Sequence, residues 1–215
     1  MVLKKIFTVL VSECRKRGIY LTFIMYLSHL IGVLRGFFYK LIYFRNIKSS
    51  IFSLQANSRI EIFNKSSIIN IGKFAFIRKN ASIRIDFNGE LNIGENVFIN
   101  DNCNINCVKR ISIGKNTKIA PNVCINDHDH NYKKSGGDHL LRGEVSIGDN
   151  VWIGSNVVIL RDTHIGDNVV IGAGSVVKGT VSANTLFFNK RENGSFSLNR
   201  TNKVVKINNL ENMKA

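Results

Sequence analysis

The chain has 215 residues, 44% of them hydrophobic, with one proline and a mean hydropathy of +0.01. That is room for one full domain plus an appendage, and it excludes collagen-like and proline-rich disordered classes. The net charge of +15 sits at the ends: residues 1–48 hold nine Lys/Arg against the single acid Glu13, whereas residues 49–188 hold fifteen against twelve acids.

A nucleic-acid reader concentrates its basic surplus on its folded reading surface. The flanking distribution here argues against nucleic acid and for anionic lipid headgroups or plain solubility. In chain order, residues 1–48 come first as a basic, apolar helical segment. Its longest uncharged run covers residues 18–34 and contains Thr22, Ser28 and His29. That is short for a membrane span, and with no small-residue cleavage site a secretory signal is not expected. Two expectations stand side by side. Residues 1–45 form amphipathic helices on the inner membrane face, which would make the protein cytoplasmic and peripheral, or they cap the domain that follows.

From Ile71 a branched aliphatic residue returns every sixth position: Ile71, Ile77, Ile83; Ile93, Ile99, Ile105; Ile113, Ile119, Ile125; then Ile147 through Val177 without interruption. Period six is neither the helical 3.6 nor strand alternation. It predicts a solenoid of short strands broken by turns, with three hexads to a coil and about five or more coils, stacked as an array. The intervals after Ile83, Ile105 and Ile125 exceed six by four, two and sixteen residues, so all three insertions leave one corner. The expected bounds are 49–185 for the solenoid, with a loop at 127–143, and 186–215 for a basic tail. Cys14, Cys103, Cys107 and Cys124 form no CxxC pair and read as reduced thiols, with Cys103 facing inward.

The strings IGKNTKIAPNVCIN, IGDNVWIGSNVVI and IGDNVVIGAGSVV, with a His-bearing loop between the first two, resemble the hexapeptide-repeat acyltransferases over roughly half the chain. The resemblance is to the galactoside, maltose and capsular-polysaccharide O-acetyltransferase branch. It implies a left-handed parallel β-helix, a homotrimer with sites between subunits, acetyl-CoA as donor, and a sugar or glycan acceptor. It places the general base at His130, with His128 as the alternative, and an acceptor or oxyanion contact at Asn100. Imidazole titrates in the range this chemistry needs, and an amide NH₂ can stabilise an oxyanion. An Asn at a corner is equally a turn residue. Trp152, Ser155, Ala173 and Lys178 match positions that contact the CoA arm. The family's closing turn is replaced by Leu186-Phe187-Phe188-Asn189-Lys190, which leaves Lys190, Arg191 or Arg200 to meet the CoA 3′-phosphate. No metal is expected. The rival readings are an amino-sugar N-acetyltransferase, a zinc carbonic-anhydrase-like enzyme drawing on His128, His130, His139 and His164, and a non-catalytic β-helix.

Overall fold

The computed structural model describes residues 2–132 and 139–190, with side chains from residue 7 onward. Two helices, α1 (Val2–Arg17) and α2 (Ile19–Ile42), precede a parallel β-helix whose strands run from Ile47 to Phe187. Gly18, at φ 84°, makes the break between the helices.

The solenoid is a three-sided prism. The first face carries Ile47–Ser49, Ile68–Ile71, Glu90–Ile93, Arg110–Ile113 and Glu144–Ile147. The second is a seven-stranded sheet of two-residue strands from Ser53–Leu54 to Leu186–Phe187. The third carries Arg59–Ile62, Ser82–Ile85, Asn104–Cys107 and Cys124–Asn126. In the last turns the strands Val158–Ile165 and Val176–Val181 bend around from the third face to the first without interruption.

Pairing is parallel and in register, so identical inward positions stack. Ile69, Leu91, Ile111 and Val145 form one column, and Ile77, Ile99, Ile119, Ile153 and Ile171 another, all at most 1% exposed. Truncating one such side chain to Ala costs about 2–5 kcal/mol. One coil precedes the hexads that begin at Ile71, built on Ile47, Leu54 and Ile60. Ser49 stands there opposite Ile71 and lies five residues before Leu54, where Ile71 and Ile77 are six apart, which is why the aliphatic period misses this coil.

Two corners are tight and repetitive. At the first, between the first and second faces, Asn96, Asn116, Asn150, Asn168 and Asn184 all adopt positive φ, a conformation Asn tolerates. Their side-chain amides form a ladder, each Nδ2 donating to the next Oδ1 at 3.0–3.2 Å. Asn80, Asn102 and Asn122 repeat the arrangement at the second corner. The third corner, between the third and first faces, releases every insertion: residues 63–67, 86–89, 108–109 and 127–143.

Glycine stacks just before the first corner because the coils meet there backbone to backbone. A Cβ on Gly114 would lie 2.4 Å from the Gly148 carbonyl carbon. Gly114→Ala is therefore expected to lower unfolding free energy by about 1–3 kcal/mol in urea titration. Gly179, at φ +86° with open space around it, should lose only the backbone term on the same change, about 1–2 kcal/mol. Full stability in Gly114→Ala would show that the coils are not held at this spacing.

Candidate active site

The sixteen-residue excess after Ile125 becomes a hairpin. Strand His128–His130 pairs antiparallel with Leu140–Arg142, His128 opposite Arg142 and His130 opposite Leu140. Strand alternation puts His128 and His130 on one side and Asp129 on the other.

Asp127 anchors the hairpin where it leaves the prism. Its carboxylate is 0% exposed and accepts the backbone N–H of Val108 at 3.0 Å and of Lys109 at 2.8 Å. A buried carboxylate is tolerated only with such donors. The His128 ring adds another, Nδ1 lying 3.0 Å from Asp127 Oδ1. A carboxylate accepts, so Nδ1 is the donating nitrogen of this pair. Asp129 accepts from Arg161 Nε at 2.8 Å on the opposite side, and Arg161 also binds Asp162. His130 is exposed, its ring stacked on His139 with centroids 6.2 Å apart and 23° between planes.

Phe87, from the insertion two coils below, forms the floor. Its ring lies 6.5 Å from that of His139, and the Arg142 guanidinium sits 4.5 Å above it. Sequence reasoning did not single out Phe87. The only signal is that insertions leave the same corner in three successive coils. Lys178 is exposed in Val176–Val181, near that corner.

The remaining candidates lie at or beside the second corner. Asn100, at the end of Phe98–Ile99, uses Oδ1 to accept the Asp101 backbone N–H at 2.8 Å. This is the turn role, and it leaves Nδ2 with no hydrogen-bond acceptor among the described residues. Asp101 is held by Arg78 at 2.9 and 3.1 Å. The Arg78 hydrogen bonds keep its carboxyl below the usual range, against the opposing effect of desolvation. Higher on the same corner come half-buried Ser155 and exposed Ala173, joined through Gly174 N–H to Ser155 O at 2.8 Å. Trp152 precedes them on the second face, 57% exposed, in the outward place its position in the hexad predicts. Lys190 is exposed, while Arg191 and Arg200 lie outside the described residues.

Asn100 and the histidines thus occupy opposite edges of the third face, a full strand apart. One chain does not bring them together. His164 lies on the first face, its Nδ1 2.9 Å from Ser146 Oγ. Among the described residues no three His, Cys, Asp or Glu side chains converge as a metal-ligand group.

A parallel prism with hexapeptide corners and a histidine hairpin at its one open corner defines a class of protein. Residues 144–179 match the bacterial transferase hexapeptide (six repeats) family. It is 33% identical over 134 residues to galactoside O-acetyltransferase of Escherichia coli K12, covering 59% of this chain and 64% of that protein. It is 32% identical over 109 residues to WbbJ of the same organism, provisionally named a lipopolysaccharide biosynthesis O-acetyl transferase, covering 46% and 56%. The chain therefore spans between half and two-thirds of the length of these relatives. The structure of AntD, an N-acyltransferase from Bacillus cereus in complex with dTDP and 3-hydroxybutyryl-CoA, superposes with a TM-score of 0.58 at 17% identity. That match covers 70% of this chain and 82% of AntD, a likeness of fold.

Cys103 and Cys107 are core, 2% and 1% exposed. Burial pushes the Cys103 thiol up to about 11, and burial reinforced by the nearby Asp127 raises Cys107 further. Both stay protonated at neutral pH and are poor nucleophiles. Iodoacetamide should leave both unmodified in the folded protein and alkylate them only on unfolding, as read by peptide mass spectrometry. Native-state labelling of either would refute the core assignment.

Proposed function

We propose that this chain transfers acetyl from acetyl-CoA to a sugar hydroxyl of a cell-surface glycan or its precursor, with His130 as general base. The observation that carries this reading is the division of the site. An exposed imidazole stands on a braced hairpin at one edge of the third face. An amide with unused N–H donors, a small-residue ledge and an exposed indole lie at or beyond the other edge.

In the proposed reaction His130 removes the acceptor hydroxyl proton as that oxygen attacks the thioester carbon. Asn100 Nδ2 donates to the oxyanion. Collapse breaks the carbon–sulfur bond, and the departing thiolate takes the proton back from the imidazolium. Trp152, Ser155, Ala173 and Lys178 hold the CoA arm in this reading. The His128–Asp127 pair fixes the strand from which His130 projects. Since one prism separates the two edges, a second copy must supply the missing half, in keeping with the homotrimer the resemblance implies.

His130→Ala is expected to lower CoA release from acetyl-CoA, measured against a panel of sugars and amino sugars, by about 10²–10⁴-fold with an unchanged melting temperature. Loss confined to a folded His128→Ala would move the base to His128. Turnover only with amino sugars would replace the hydroxyl acceptor by an amine. Neither binding nor turnover of acetyl-CoA would end the acetyltransferase reading.

A shared site makes a separate demand. Co-expressed His130→Ala and Asn100→Ala chains should recover activity that neither has alone, because a mixed assembly contains some intact pairs of edges. No recovery, in mixed oligomers verified by native mass spectrometry, would place the whole site within one subunit.

A further inference from the structure

The polarity of α2 is inverted for a helix of a water-soluble protein. Its inward stripe is small and polar and lies across the open edge of the first coil. Ser28 donates to Gln55 at 3.1 Å, Arg35 to the Leu54 and Ser58 carbonyls at 3.2 and 2.9 Å, and Lys40 to the Ser49 carbonyl at 2.6 Å. Gly32 and Gly36 let the helix approach, since a Cβ there would meet Gln55 Nε2 at 2.3 Å and the Phe52 carbonyl at 2.7 Å. Both charges of α2, Arg35 and Lys40, are spent on these carbonyls.

The outward face is large, apolar and uncharged. Leu30, Leu34, Phe37, Phe38, Leu41 and Ile42 are each more than half exposed. Phe37 and Val33 continue into a hollow shared with Ile51 and Phe52. Basic groups flank α2 along the chain: Arg45 over the exposed Phe44 ring at 5.6 Å and exposed Lys48 after it, and Arg15, Lys16 and Arg17 before it, the last two paired with Glu13. An apolar face this large is a docking surface, and the basic flanks select an anionic one.

By length and composition alone α2 could cross a membrane. Its packing argues otherwise. From Ser28 to Lys40 it lies along the first coil, so an upright helix would carry unpaired strand edges and polar side chains into hydrocarbon. We propose that the outer face of α2 and its basic flanks dock this protein on an anionic lipid bilayer, with α2 in the membrane plane and the β-helix standing off it. This inference does not depend on the reaction proposed above.

The test is co-sedimentation of the full chain with phosphatidylcholine vesicles, with and without phosphatidylglycerol, beside sedimentation velocity without lipid. Binding should be stronger with phosphatidylglycerol and weaken with salt. Leu34→Ser with Phe38→Ser should weaken it by about tenfold or more at an unchanged melting temperature. Arg45→Glu with Lys48→Glu should remove the preference for phosphatidylglycerol and leave the oligomer intact. No binding to either vesicle overturns the proposal. So does dissociation of the oligomer by the apolar pair with vesicle binding unchanged, which would make this face a contact between copies. Resistance of the bound protein to alkaline carbonate extraction would place α2 across the bilayer and overturn the in-plane arrangement.

Discussion

Everything in this molecule hangs on one coil stacking on the next in register. Each turn of the prism buries its aliphatic columns only against its neighbours, so no coil can shift without exposing every residue of its column. That constraint fixes the corners. At the first, glycines admit the adjacent backbone and asparagines take the left-handed conformation while their amides ladder from turn to turn. An added residue there would break the ladder and move the next inward isoleucine out of its column. Slack can be taken up only at the third corner, where coil lengths already differ and no comparable asparagine ladder is present among the described residues. The insertions therefore collect on one edge because the other two have no room for them.

The hairpin shows how such an edge is made rigid. A long insertion on a surface tends to be mobile, yet this one is tied at its root by a fully buried carboxylate. Asp127 reaches back to Val108 and Lys109, backbone groups in the shorter insertion one coil below. Phe87 extends the brace a further coil down. Three insertions of unequal length thus act as one unit, and His128 and His130 project from a strand whose first residue has no freedom to turn. Asp129, held by Arg161, restrains the reverse side.

The period of six and the corner of the insertions were legible because both are arithmetic along the chain, and an inward aliphatic is the same residue type in every coil. The first coil was not. Ser49 takes the place opposite Ile71 one residue out of step with the hexads, and Ser53 and Gln55, on the side of the strand away from Leu54, are polar because they face α2. The outward placement of Trp152 and the inward one of Cys103 followed from their places in the hexad. The anchoring of Asp127 could not, since its partners lie eighteen and nineteen residues back and only the fold brings them close. Nor could composition tell which side of α2 is covered: the run of leucines and phenylalanines reads the same whether it faces the prism or away from it.

The two ends of the prism are related by counting turns. α2 closes the first coil, and the histidine hairpin leaves between the fourth and fifth. Stacked strands are about 4.8 Å apart, so three coil steps set the hairpin about 15 Å from the plane of the first coil. With α2 in the membrane surface, that height lies above the hydrocarbon and within reach of a sugar borne on a lipid headgroup. A soluble sugar would gain nothing from this arrangement, because diffusion brings it to any orientation equally. An acceptor tethered to the bilayer gains effective concentration and a fixed direction of approach. In the proposed docking the stand-off follows from the number of coils below the insertion, so the repeat that builds the core would also serve as a spacer.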